Sequence, residues 1–224
     1  PTLLSLMQNI TFISTIHEEL GKCNPIRLCK IIKNINPEVI FLEALNETYS
    51  EYQKHLFSTF GVFHKKLEVS AIQNYSLDYS FEYVPVLDKE MDESFEKKYE
   101  IVCKNRDWQK LMDNFNFHAR QNGFDFLNSD ESIKLQEEMR NFESRILDGH
   151  ELDKSALETI DKYENNMINN IHSYCKNNNF KSAIFMCGVA HRKSIIAKVA
   201  EFNISEEKKL NWIVFEGNIK IQTS

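Results

Sequence analysis

Ile10-Thr11-Phe12-Ile13-Ser14-Thr15-Ile16 runs into His17, Ala183-Ile184-Phe185-Met186-Cys187-Gly188-Val189-Ala190 runs into His191, and Glu38-Val39-Ile40-Phe41-Leu42 runs into Glu43. Short apolar runs rich in β-branched residues are the pattern of strands buried on both faces, as in a parallel sheet covered by helices. Ligands of open sheets of this kind gather beyond the carboxyl ends of the strands. The three polar residues are therefore expected to meet at one sheet edge, although the two histidines stand at opposite ends of the chain.

The intervening sequence supports that reading. Asn24-Pro25 offers an N-cap followed by proline in the first turn; Leu28, Ile31, Ile32 and Ile35 repeat at helical spacing, and Asn36-Pro37 stops the helix. Strand, helix and strand make a βαβ unit, which is almost always right-handed with parallel strands. Residues 46–76 read as helical with an interruption at Gly61; Leu67, Ala71 and Tyr75 form a stripe with Glu68 at its border. A third strand is predicted over Phe81 to Leu87, at a sheet edge or ending near Pro85, which cannot donate to a ladder, and Asp88 follows it.

Residues 90–179 read as a helical insertion or cap. Ser129 can cap a helix with the stripe Leu135, Met139, Phe142 and Ile146, ended by Gly149; Ile160, Tyr163, Met167, Ile171 and Tyr174 mark a second long helix, expected to lie against the first as an antiparallel hairpin. A strand over 182–187, a helix from Arg192 to Phe202 and a strand from Trp212 to Phe215 complete the pattern. The expectation is a single α/β domain over 1–224, with a mixed, mainly parallel β-sheet flanked by helices and the 90–179 insertion within it.

The 224 residues, 42% hydrophobic and 27% charged, suffice for one sizeable core. A net charge of −6 without a basic, aromatic-laced run argues against nucleic acid as a partner. Cys23, Cys29, Cys103, Cys175 and Cys187 are scattered and odd in number, which fits a reducing compartment. No apolar run has the length of a spanning helix, and the stretch Leu3 to Met7 is too short for a signal peptide, so no membrane partner and a cytoplasmic location are expected. Met7, just before the first strand, reads as a candidate native start with the first six residues as leader.

A carboxylate at the end of an apolar strand, as Glu43 is, is costly to bury unless a proton or a cation compensates it. With His17 and His191 it forms a set that can hold a catalytic divalent metal such as Mn, Co or Zn. The same trio can work without metal, histidine acting as general base and Glu43 orienting it. Glu68 and Asp88 are further candidates, Asp88 and Arg192 as substrate-binding groups and Glu68 as a catalytic one; each reads about equally well as a surface residue. Cys187 reads better as a small buried strand residue than as a ligand. His55, His64, His118, His150 and His172 read as surface. His17-Glu18-Glu19-Leu20-Gly21 lacks the second histidine of HExxH, the glycines form no phosphate loop, and no GxSxG elbow is present.

Ser14-Thr15-Ile16-His17, Glu43 closing the next strand, Glu68 within Glu-x-x-Ala-Ile, and Gly188-Val189-Ala190-His191 together resemble the Tiki/TraB, ChaN-like and erythromycin-esterase superfamily over roughly residues 8–88 and 180–216. The resemblance implies an erythromycin esterase/ChaN-like α/β fold in which two motif histidines (His17, His191) and acidic residues (Glu43, Glu68) line one cleft beneath helical insertions. It implies metal-dependent proteolysis if the chain is Tiki-like, metal-free lactone opening if esterase-like, or haem binding if ChaN-like. Two positions depart from the pattern: Ser14 stands where Tiki-type motifs have glycine, and Tyr163 stands where many relatives carry an arginine four residues before the methionine here numbered Met167.

The functional expectation is a hydrolase that activates water with His17, Glu43, Glu68 and His191 on an ester, lactone or amide of a small molecule or peptide. The alternatives are a non-enzymatic module that binds haem or another ligand on the same fold, and an interaction domain with an inert site.

Overall fold

A computed structural model describes residues 7–46, 66–148, 151–205 and 210–217. Five strands, β1 (Asn9–Thr15), β2 (Val39–Leu45), β3 (Glu82–Leu87), β4 (Ser182–Gly188) and β5 (Asn211–Val214), form one sheet in the order β3-β2-β4-β1-β5. Each strand pair is parallel. The sheet among the described residues is thus purely parallel where a mixed, mainly parallel one was expected, as suits strands apolar on both faces.

The helices are α1 (Pro25–Ile35), α2 (Leu67–Ser76), α3 (Glu93–Val102), α4 (Arg106–Asn122), α5 (Phe124–Leu127), α6 (Asp130–Ile146), α7 (Glu151–Asn177) and α8 (Arg192–Ser205). α1 begins where the sequence says it must: the Asn24 side chain accepts from Arg27 N, Pro25 occupies the first turn, and Asn36 closes the helix in the left-handed region at φ 52°. Pro85 sits in β3, an edge strand, where a missing donor costs no ladder bond on the open side. Ser129 caps α6 by accepting from Ser132 N.

Along β1, β2 and β4 the strand residues alternate between two cores. Ile13, Ile40, Leu42, Ile184 and Met186 face a layer containing Leu28 and Ile32 of α1, Ile72 and Tyr75 of α2, and Trp108, Phe115, Phe126 and Met139 of α4 to α6. Ile10, Phe12, Val39, Phe41, Phe185 and Cys187 face Met167, Ile168 and Ile171 of α7 and Ile195 and Val199 of α8. The segment between β3 and β4 therefore supplies helices to both faces of the sheet, beyond the cap over it that the sequence suggested.

The expected hairpin of two long helices does not form: α6 packs on α4, whereas α7 packs on α3, β3 and α8. The reason is visible in the stripe of α7. Of the predicted stripe Ile160, Tyr163, Met167, Ile171 and Tyr174, only Met167 and Ile171 are buried; Glu164, Ile168, His172 and Cys175 join them, so the buried line is rotated by part of a turn. The buried Lys98 of α3 pairs with Glu143 of α6 at 2.9 Å, and Trp108 Nε1 donates to the same carboxylate, so the helices are tied through α3. His172 is buried against the Phe202 and Trp212 rings, and His118 is half-buried beside Phe126; both were expected at the surface. His55, His64, His150, Gly61, Gly149 and the six residues before Met7 lie outside the described residues.

Candidate functional site

Glu43 shares the parity of Val39 and Phe41 along β2, which sets it on the α7 side of the sheet at the carboxyl end of the strands. Two histidines flank it. His17, two residues beyond β1, places Nε2 3.9 Å from Glu43 Oε2, and His191, in the turn after β4, places Nε2 3.6 Å from Glu43 Oε1. Both distances exceed a hydrogen bond.

The other nitrogen of each ring is held by a buried carboxylate. His17 Nδ1 lies 2.9 Å from Glu68 Oε1, which also accepts from Thr15 Oγ1 at 2.7 Å. His191 Nδ1 lies 2.8 Å from Glu164 Oε1, while Ser194 Oγ donates to the second oxygen of that carboxylate. A carboxylate accepting at Nδ1 fixes the tautomer and leaves Nε2 as the free basic nitrogen. Glu68 and α2 come from one face of the sheet, Glu164 and α7 from the other, so the two pairs close on Glu43 from opposite layers.

Glu43 is itself anchored by Gly188 N–H, which donates to Oε2 at 2.6 Å, and by Tyr163 Oη, which donates to Oε1 at 2.7 Å. Burial pushes its carboxyl pKa up, but His191, His17 and the two donors outweigh that and hold it below the ordinary value. For His17 the Glu68 hydrogen bond is the largest influence and raises the pKa above 6.5 despite partial burial. Tyr163 is raised by burial and by the adjacent Glu43, so it stays a phenol and a donor. Its ring also stacks on His191 at 5.5 Å.

A cavity of about 620 Å³ opens on this cluster, lined by His17, Glu43, Tyr163 and His191, with Phe95, Tyr99 and Met91 on its apolar side. Gly188 keeps the approach open. A Cβ there would stand 3.3 Å from Glu43 Oε2 and 3.5 Å from His17 Nε2, in the space between the two groups.

The structure thus brings together His17, Glu43, Glu68 and His191 of the sequence-derived set, and leaves two members outside. Asp88 is exposed and accepts from Asn46 and Asn166 side chains, beside a separate 400 Å³ cavity that shares Tyr163 as wall. Arg192 is buried: its guanidinium donates to Ser14 Oγ, to Asn128 Oδ1 and O, and to Phe215 O, so a substrate-binding role gives way to a structural one. Asn128 in turn pairs with both backbone groups of Ser14, continuing the sheet edge past the end of β5. Ser14, the departure from glycine, belongs to this brace.

Sequence reasoning missed Glu164 and Tyr163 as site residues. The available signal was Tyr163 on the apolar stripe of the helix, together with the acidic residue next to it. Among the described residues, the donor atoms that gather within 4.8 Å of one another belong to Glu43, Cys187 and His191, all buried, a group that can hold a cation and does not include His17.

No family model matches the chain, and no curated protein matches it. Among solved structures it is similar to a mutant erythromycin esterase in its open conformation, with a TM-score of 0.40 and 9% identity over 92% of this chain and 69% of that one. None of the described helices is long and apolar enough to cross a membrane.

Proposed function

We propose that the chain is a hydrolase of the Tiki/TraB, ChaN-like and erythromycin-esterase type, acting on an ester, lactone or amide of a small molecule or peptide. The observation that carries this reading is the buried Glu43 carboxylate set between two imidazole Nε2 atoms, each ring backed by its own carboxylate, at the floor of a cavity. His17 is the general base: its side chain is 43% exposed, its Nε2 faces the cleft, and Glu68 stabilises the imidazolium that forms when it takes a proton from water. Glu43 adds a fixed negative charge beside that imidazolium, and Tyr163 and Gly188 hold the carboxylate in place. The protonated His17 then returns the proton to the leaving group.

The site also fits a divalent cation, because Glu43 Oε1 and His191 Nε2 face one another as lone-pair donors 3.6 Å apart. Such a cation would supply a bound water with a pKa near neutrality.

The test is turnover of a panel of aryl esters, lactones and short peptides by wild type and His17→Ala, with and without Mn²⁺, Co²⁺ or Zn²⁺. The expected result is a loss of at least about 10²-fold in kcat with the fold retained. Equal turnover by wild type and variant on every substrate found contradicts the proposal.

A further inference from the structure

We propose that Glu43, Cys187 and His191 bind one thiophilic divalent cation, zinc or cobalt, through a carboxylate oxygen, the Cys187 sulfur and His191 Nε2. This deepens the hydrolase reading and rests on it for the use of the remaining coordination position.

Register brings the first two donors together. Leu42 pairs with Met186 across β2 and β4, so Glu43 and Cys187 are the next residues on adjacent parallel strands. Phe41 and Phe185, two residues before each, share the core on the α7 side, and Cys187 packs in that same core. The sheet therefore presents a carboxylate and a thiol side by side towards the helix that carries Glu164.

His191 supplies the third donor as a lone pair. Its Nδ1 is engaged by Glu164, so Nε2 faces Glu43 Oε1 at 3.6 Å as one acceptor facing another. That separation is too long for a hydrogen bond, and close to the ~3.4 Å between two ligands of a tetrahedral ion with bonds of about 2.1 Å. The Glu164 carboxylate, braced by Ser194, stands where ligating histidines regularly have their orienting partner.

Three protein donors leave a fourth position for water or substrate. It would open towards Gly188, whose missing Cβ leaves the space beside Glu43 Oε2 and His17 Nε2 free. Sulfur among the ligands selects zinc or cobalt over manganese or magnesium. Cys187 is fully buried and its thiol is held protonated by burial and by Glu43. Binding therefore forms a sulfur–metal bond as the S–H bond breaks, and the proton leaves to solvent.

The experiment is titration of the chelator-treated full chain with Co²⁺, followed by absorption. One equivalent should bind in a tetrahedral spectrum with a sulfur-to-cobalt charge-transfer band, and that band should vanish in Cys187→Ser. Glu164→Gln should weaken binding by about 10- to 100-fold while keeping the band. Because a variant at so buried a cysteine tests folding as well, zinc-edge X-ray absorption on wild type is measured in parallel and should show one sulfur at about 2.3 Å. A shell of nitrogen and oxygen alone, or no stoichiometric binding, overturns the proposal. Absent binding leaves proton transfer by His17 intact as a mechanism. Cobalt bound through sulfur with no substrate turned over keeps the cation site and removes the hydrolase.

Discussion

The two imidazole–carboxylate pairs are built alike but sit in different surroundings. His191 is nearly enclosed, its partner Glu164 uses both oxygens, and its ring is covered by Tyr163; His17 is 43% exposed, and Glu68 takes both of its hydrogen bonds on Oε1. One pair comes from the α7 layer and the other from the α2 layer, and Glu43 belongs to the strand end between them. Matching chemistry in unequal exposure fits the proposed division of labour, in which the enclosed ring holds position and the open ring exchanges protons with what enters the cavity.

Removing the carboxylates separately tests that division. Glu164→Ala leaves a buried imidazole nitrogen and the Ser194 hydroxyl without their acceptor and should cost about 3 kcal/mol, read from urea unfolding. Glu68→Ala leaves the buried Thr15 hydroxyl its second acceptor, the Cys187 carbonyl, and water reaches His17, so it should cost about 1–2 kcal/mol. Equal losses would erase the distinction between the pairs. A smaller effect is expected at Tyr163, whose phenol donates one hydrogen bond to Glu43. Tyr163→Phe keeps the ring over His191 and should cost about 1 kcal/mol in the same assay, with the Glu43 carboxyl titrating at higher pH in carbon-detected NMR. An unchanged Glu43 titration would show that the phenol does not tune the carboxylate.

The sheet and the placement of His17, Glu43 and His191 were legible in the sequence because apolar strands buried on both faces read as continuous runs, and the residue that breaks each run marks its carboxyl end. Glu68 was half legible, at the border of a stripe that turned out to bury it. Glu164 and the packing of α7 were not. A helix that shows an apolar line about 100° wide does not reveal which edge of that line faces the sheet, and a carboxylate on it looks solvated until its histidine, 27 residues later, is folded against it. Arg192 was misread for the complementary reason: a cation beside a motif histidine suggests a ligand, whereas its acceptors, Asn128 and the Phe215 carbonyl, come from distant segments. Cys187 read correctly as a buried strand residue; only the register with β2 puts its sulfur beside Glu43.

The central claim is that both rings give Nδ1–H to a carboxylate and turn Nε2 towards Glu43, with Glu68 raising the pKa of His17 above its ordinary value. Because the folded-state pKa of His17 lies above the ordinary 6.5, its ion pair with Glu68 stabilises the protein fully below that value and loses the contribution as pH rises through the folded pKa. The direct measurement is a pH series of nitrogen–proton correlation spectra of the imidazoles in the metal-free protein. The account predicts that the neutral rings of His17 and His191 carry their proton on Nδ1, and that His17 titrates above 6.5 in wild type and falls towards it in Glu68→Gln. Neutral rings protonated on Nε2, or a His17 midpoint that ignores Glu68, would contradict it.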